Sequence, residues 1–78
     1  MQIESYDDLE DLFNNIKSSG RYRKVAVVDF QTGELVFWGR TKKDAGMVLK
    51  DAHRDYPSHK SFLLYWGGVN FKNKQYSR

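Results

Sequence analysis

Cysteine is absent from this 78-residue chain, which excludes disulfides, thiolate nucleophiles and cysteine-ligated zinc together. Secreted domains this small usually carry such staples, so a reducing cytoplasm is the expected location. Long apolar runs are absent too. None exceeds six residues, far below the roughly 20 that a membrane-spanning helix needs, and no membrane is expected among the partners. The N-terminus is acidic and lacks the basic and apolar pattern of a signal peptide. Proline occurs once, at Pro57, and histidine twice, at His53 and His59.

What the chain does contain suits one thin hydrophobic core. Apolar residues make up 40% of it and aromatic residues 15%, enough to exclude disorder for most of its length. Residues 1–78 are expected to form a single small α+β domain, with residues 72–78 a mobile basic tail. Net charge is +3, unevenly spread. Glu4, Asp7, Asp8, Glu10 and Asp11 are half of all the acids, while every lysine and arginine lies beyond them. Such a polar molecule could meet an anionic partner on one side, or could simply carry a solvated acidic helix.

The first helix is the clearest element. Ser5 followed by Asp8 predicts an N-cap with its acidic partner. Leu9, Leu12, Phe13 and Ile16 then make one apolar stripe, and Ser18-Ser19-Gly20 is expected to end it. Lys24 to Phe30 and Glu34 to Arg40 read as strands joined by a Gln31-Thr32-Gly33 loop with Gly33 at positive φ. That loop would set Phe30 opposite Glu34, Val28 opposite Val36 and Ala26 opposite Trp38. Val25, Val27, Leu35 and Phe37 would then face the core, and Ala26, Val28, Phe30, Val36, Trp38 and Arg40 the other side.

A second helix is expected from about Lys42 to Tyr56, capped by Thr41 and Asp44 and stopped by Pro57. Ala45, Val48, Leu49 and Ala52 form its buried stripe. Ser61 to Lys74 reads as a hairpin turning at Gly67-Gly68 with Trp66 opposite Val69. The predicted architecture is therefore α-β-β-α-β-(β), an antiparallel sheet with two helices on one face. A ferredoxin-like order is the alternative if Gln2 to Glu4 form a short first strand.

Enzyme motifs are missing. No phosphate loop or nucleophile elbow occurs. His53 and His59 straddle a helix end and Pro57, so they cannot serve as paired ligands on one helix face. Asp51 and Asp55 read as ordinary solvated charges on a helix. No enzyme activity, metal or cofactor is expected.

Two surfaces remain. With both helices on one side, the opposite sheet face would gather Trp38, Arg40, Tyr65, Lys72 and Lys74 around Val28, Val36 and Leu63. Trp, Tyr and Arg are the residue types that dominate protein interfaces, and such a face would exceed ordinary tolerance for exposed apolar area. The second surface is a basic stripe on the second helix, Lys43, Met47, Lys50 and Arg54, with Lys42 and Lys43 in the first turn, where the helix dipole disfavours them.

The leading expectation is a non-enzymatic protein-binding module, an inhibitor that occludes a partner's functional surface. In size and lack of chemistry the chain is similar to small phage-encoded proteins that disable host machinery, a likeness of kind rather than of motif. The alternative is a nucleic-acid-binding protein using the basic stripe or the aromatic-basic face. A homodimer burying the sheet face would mimic a partner site.

Overall fold

The computed structural model describes residues 2–17, 20–67 and 72–77, with Tyr6 and residues 72–77 described by backbone alone. Helix α1 spans Tyr6–Asn15. Ser5 is extended and its Oγ accepts the Asp8 N–H at 3.3 Å, while the Asp8 carboxylate accepts the Glu4 N–H at 3.0 Å. The two residues thus satisfy donors that the first helical turn would leave unpaired. The helix stops earlier than Ser18-Ser19-Gly20. Ile16 adopts extended backbone and its N–H bonds the Phe13 carbonyl, and its side chain stays buried, so the stripe from Leu9 to Ile16 is complete when the helix ends. Ser18 and Ser19 lie outside the described residues.

Strands β1 (Arg23–Asp29) and β2 (Leu35–Thr41) form the first hairpin, each one residue off the expected bounds. Gly33 takes φ 76°, the left-handed conformation that the turn requires. Ala26 faces Trp38 as expected, but a bulge between Val27 and Val28 pairs Val28 with Leu35 instead of Val36. The extra residue exchanges the faces of its neighbours. Leu35 joins the α1 side and Val36 the α2 side, the reverse of the sequence pattern. Phe30 does not pair with Glu34 either. Its N–H bonds the Ser61 carbonyl, and the Asp29 N–H bonds Glu34.

Helix α2 spans Ala45–Asp55, three residues shorter at its start than expected. Asp44 is the N-cap and accepts the Met47 N–H at 2.9 Å. Thr41 belongs to β2, and its Oγ1 accepts the Lys43 N–H. Lys42 and Lys43 therefore precede the helix and do not oppose its dipole from within the first turn.

Strands β3 (Ser61–Gly67) and β4 (Lys72–Ser77) complete an antiparallel sheet in the order β2-β1-β3-β4. Residues 72–77, expected as a tail, thus form an edge strand. The β3–β4 register sets Trp66 opposite Lys72 and Leu64 opposite Lys74, not Trp66 opposite Val69. Val69, Phe71 and the Gly68 turn position lie outside the described residues. At the other edge Gln2 makes a single bridge to Glu34, and the Ile3 N–H bonds the Gly33 carbonyl. Residues 2–4 thus supply one bridge rather than the first strand of a ferredoxin-like order.

The helices lie on opposite faces, contrary to the one-sided arrangement expected from sequence. Val25, Val27, Phe62 and Leu64 pack with Val48 and Ala52 of α2. Ala26, on the reverse of β1, packs with Leu9, Leu12, Phe13 and Ile16 of α1, joined by Leu35 and Tyr65. The cause lies in connectivity. Strands β2 and β3 both run antiparallel to β1 and so parallel to each other, and α2 is the crossover between them, committed to one face. The other face is left for α1. β1 is buried from Val25 through Asp29 because it is covered on both sides.

Candidate binding edge and the closed end of the hairpin

The residues expected to share one open face do not come together. Tyr65 packs at the margin of the α1 core, in the row Trp38, Ala26, Tyr65 and Asn73 that runs across the sheet. Lys72 and Lys74 lie on β4, the edge opposite β2, at positions paired with Trp66 and Leu64. Trp38 and Arg40 remain together and exposed on β2. Trp38 keeps 48% of its surface accessible. Tyr22, just before β1, is also exposed, and its ring receives the Arg40 guanidinium at 5.6 Å and the Lys42 ammonium at 5.1 Å. Tyr22 was not among the expected site residues, although the hairpin register, with Lys24 opposite Arg40 and Arg23 opposite Thr41, carries it to Lys42, two residues along from Arg40.

The basic stripe is partly neutralised. Lys43 is ion-paired with Asp51, and Arg54 lies 3.0 Å from Asp55 and 3.4 Å from Asp51. The hydrogen bond from Lys43, with the nearby positive charges, holds the Asp51 carboxyl below its ordinary value despite some desolvation. Asp55, then Asp51, raises the Arg54 guanidinium. Met47 and Lys50 remain exposed on the helix. Between α2 and β2 runs a groove of about 390 Å³. Val27, Phe37, Val48 and Tyr56 line it together with Arg40, Lys43, Asp51, Arg54 and Asp55. Phe37 is exposed beside it.

At the far end of the hairpin sits a polar cluster that the sequence reading did not assemble. Asp29 is 4% exposed. One carboxylate oxygen accepts the N–H groups of Gln31 and Thr32, at 2.7 and 2.8 Å, and the other meets His59 Nδ1 at 2.5 Å. Burial alone would raise its pKa, but His59 and the two N–H groups outweigh it and hold the carboxyl below its ordinary value. His59 Nε2 faces the Glu34 carboxylate at 3.7 Å. An aspartate ending a strand before Gln-Thr-Gly is recognisable as a turn-former, whereas nothing local marks His59, thirty residues on, as its partner.

An aspartate-oriented histidine supplies two of the three members of a nucleophilic triad. Among the described residues, no hydroxyl is hydrogen-bonded to His59 and no group of three His, Cys, Asp or Glu side chains is placed to hold a metal. His53 packs edge-on against Phe62 with ring centroids 4.9 Å apart. The Asp29–His59 pair ties the β1–β2 turn to the loop before β3. No described helix is long and apolar enough to cross a membrane. Compared with protein-family models, curated proteins and solved structures, the chain matches none.

Proposed function

We propose that this chain is a non-enzymatic protein-binding module, working in the cytoplasm by occluding a partner's surface, with Trp38 as the anchor. The observation that carries the reading is the half-exposed Trp38 on an edge strand, beside Tyr22, Arg40 and Lys42. Aromatic and arginine side chains are enriched at binding hot spots because they bury a large area at little entropic cost. A cation resting on an aromatic ring is also partly ordered before a partner arrives.

The test is affinity capture from cytoplasmic extract with wild type and Trp38→Ala. Capture of a defined protein should weaken by about 2 kcal/mol or more, on the order of 30-fold, while the circular dichroism spectrum is unchanged. Equal capture by both proteins removes Trp38 as the anchor.

Nucleic acid is the second reading, favoured by the two cations stacked on Tyr22. Quenching of Trp38 fluorescence by single-stranded oligonucleotide, steeply weakened by salt, would put it first. Against it stands the basic stripe, whose Lys43 and Arg54 are already paired with Asp51 and Asp55 and so are less available to a phosphate backbone.

A further inference from the structure

We infer that the open edge of β2 receives an extended acidic segment of a partner protein as an added strand, its residues alternating between acidic and apolar. This rests on the protein-binding reading above and specifies its geometry. The Asp29 N–H bonds Glu34 across the hairpin, and alternation along β1 then turns the backbone groups of Phe37, Gly39 and Thr41 toward β1. The N–H and C=O groups of Trp38 and Arg40 accordingly face outward. Among the described residues the outer edge of β2 is engaged only where it begins, by Gln2 at Glu34 and Ile3 at Gly33. Sheet edges are ordinarily blunted by proline, charged side chains or irregularity, and here Arg40 supplies the charge. The bulge of this hairpin lies before Phe37; beyond it the register runs without a shift to Thr41, with Gly39 at φ 157°, and the edge carries Phe37 and Trp38, both exposed.

The chemistry of the incoming strand follows from the two sides of this edge. Its side chains must alternate between them. On the α1 side they meet Trp38 and Arg40, with Lys42 beyond, and among the described residues these two cations rest on the ring of Tyr22 with no carboxylate paired to them. Acidic side chains complement them. On the α2 side they meet Phe37 and the groove, where Val27, Val48 and Tyr56 supply apolar surface and, of the lining cations Arg40, Lys43 and Arg54, the last two already have carboxylate partners. Apolar side chains fit there. A second copy of this chain matches less well, since its own β2 would bring Arg40 and Lys42 rather than acids.

The probe is a short capped peptide of alternating glutamate and valine, with a lysine–valine peptide of equal length as control. Both are titrated into the isotope-labelled chain and followed by amide spectra and hydrogen exchange. The glutamate peptide should bind saturably and slow exchange of the Trp38 and Arg40 amides by about tenfold or more. The lysine peptide, or the glutamate peptide added to Arg40→Glu, should bind about tenfold more weakly. Arg40→Gln provides a milder variant if Arg40→Glu disturbs the fold. Absence of binding overturns the inference, as does equal binding of the two peptides or binding that leaves both amides unprotected. Protection that grows with protein concentration alone would assign the edge to a second copy and also overturn it. If Trp38→Ala abolishes protein capture while neither peptide binds, the strand-pairing inference falls and the protein-binding reading stands.

Discussion

At one end of the β1–β2 hairpin, Asp29 uses both carboxylate oxygens within the molecule, on the Gln31 and Thr32 N–H groups and on His59. At the other end, among the described residues, Arg40 and Lys42 have only the ring of Tyr22, and Trp38 is half open to solvent. The same two strands thus finish in opposite ways. The Asp29 carboxylate at the turn is buried and must be satisfied internally, because an unpaired buried charge costs several kcal/mol. Polar groups at the open end are solvated and cost little to leave available. Substitutions at the turn should act on stability, and substitutions at the open end on binding.

The largest effect is expected at Asp29. Asp29→Ala leaves two loop N–H groups and His59 without their acceptor, and should lower the free energy of unfolding in urea by about 3 kcal/mol, the low end for breaking a buried pair. The effect should depend on pH with a defined sign. A carboxyl held below its ordinary 3.8 binds fewer protons folded than unfolded, so its contribution is full well above that value and is lost as pH falls through the lower folded value. The gap between wild type and Asp29→Ala should therefore close in acid. A gap that stays constant down to acid unfolding would mean that the charge on Asp29 contributes nothing.

Next comes the α1 layer. Gly67 lies under Phe13, and a Cβ there would run into the Phe13 ring and lie 2.9 Å from Lys24 Cβ. Gly67→Ala should cost about 2 kcal/mol by overpacking, and shortening Phe13 to leucine in that background should recover part of it. If Gly67→Ala is neutral, α1 does not cover this face, and the expected open sheet with Tyr65 at its centre returns.

A smaller loss, about 1 kcal/mol, is expected for Ser5→Ala, which removes the N-cap of α1. Thermal unfolding would register it.

These elements also differ in how well the chain itself announces them. The Ser5 cap, the Leu9–Ile16 stripe, the Gly33 turn and the Ala26–Trp38 pairing are short-range features, and local residue chemistry suffices to find them. The bulge that exchanges Leu35 and Val36 depends on which core each meets, so strict alternation misplaces both. The side of the sheet taken by α1 was not legible from its own stripe, which would bury equally well on either face. The clue lay in β1, where Val25, Ala26, Val27 and Val28 are apolar without alternation, as in a strand covered twice. Of the candidate site, Trp38 and Arg40 were identifiable as exposed partners on one strand. Tyr65, Lys72 and Lys74 were not, because placing them required the helix faces and the β3–β4 register.

The smallest effect is expected at Arg40, and it is the sharpest test of the contrast between the two ends. Arg40→Ala removes one of two cations from the Tyr22 ring, and Lys42 remains there. An exposed cation–π contact contributes about 0.5–1 kcal/mol, and with the second cation in place the loss in unfolding free energy should be about 0.5 kcal/mol or less. Binding of the glutamate–valine peptide should nevertheless weaken in the same variant. A stability loss as large as that of Asp29→Ala would show that Arg40 is held by the fold as firmly as the turn is. The open end would then be a structural element, and its exposed aromatic and basic side chains would no longer argue for a partner.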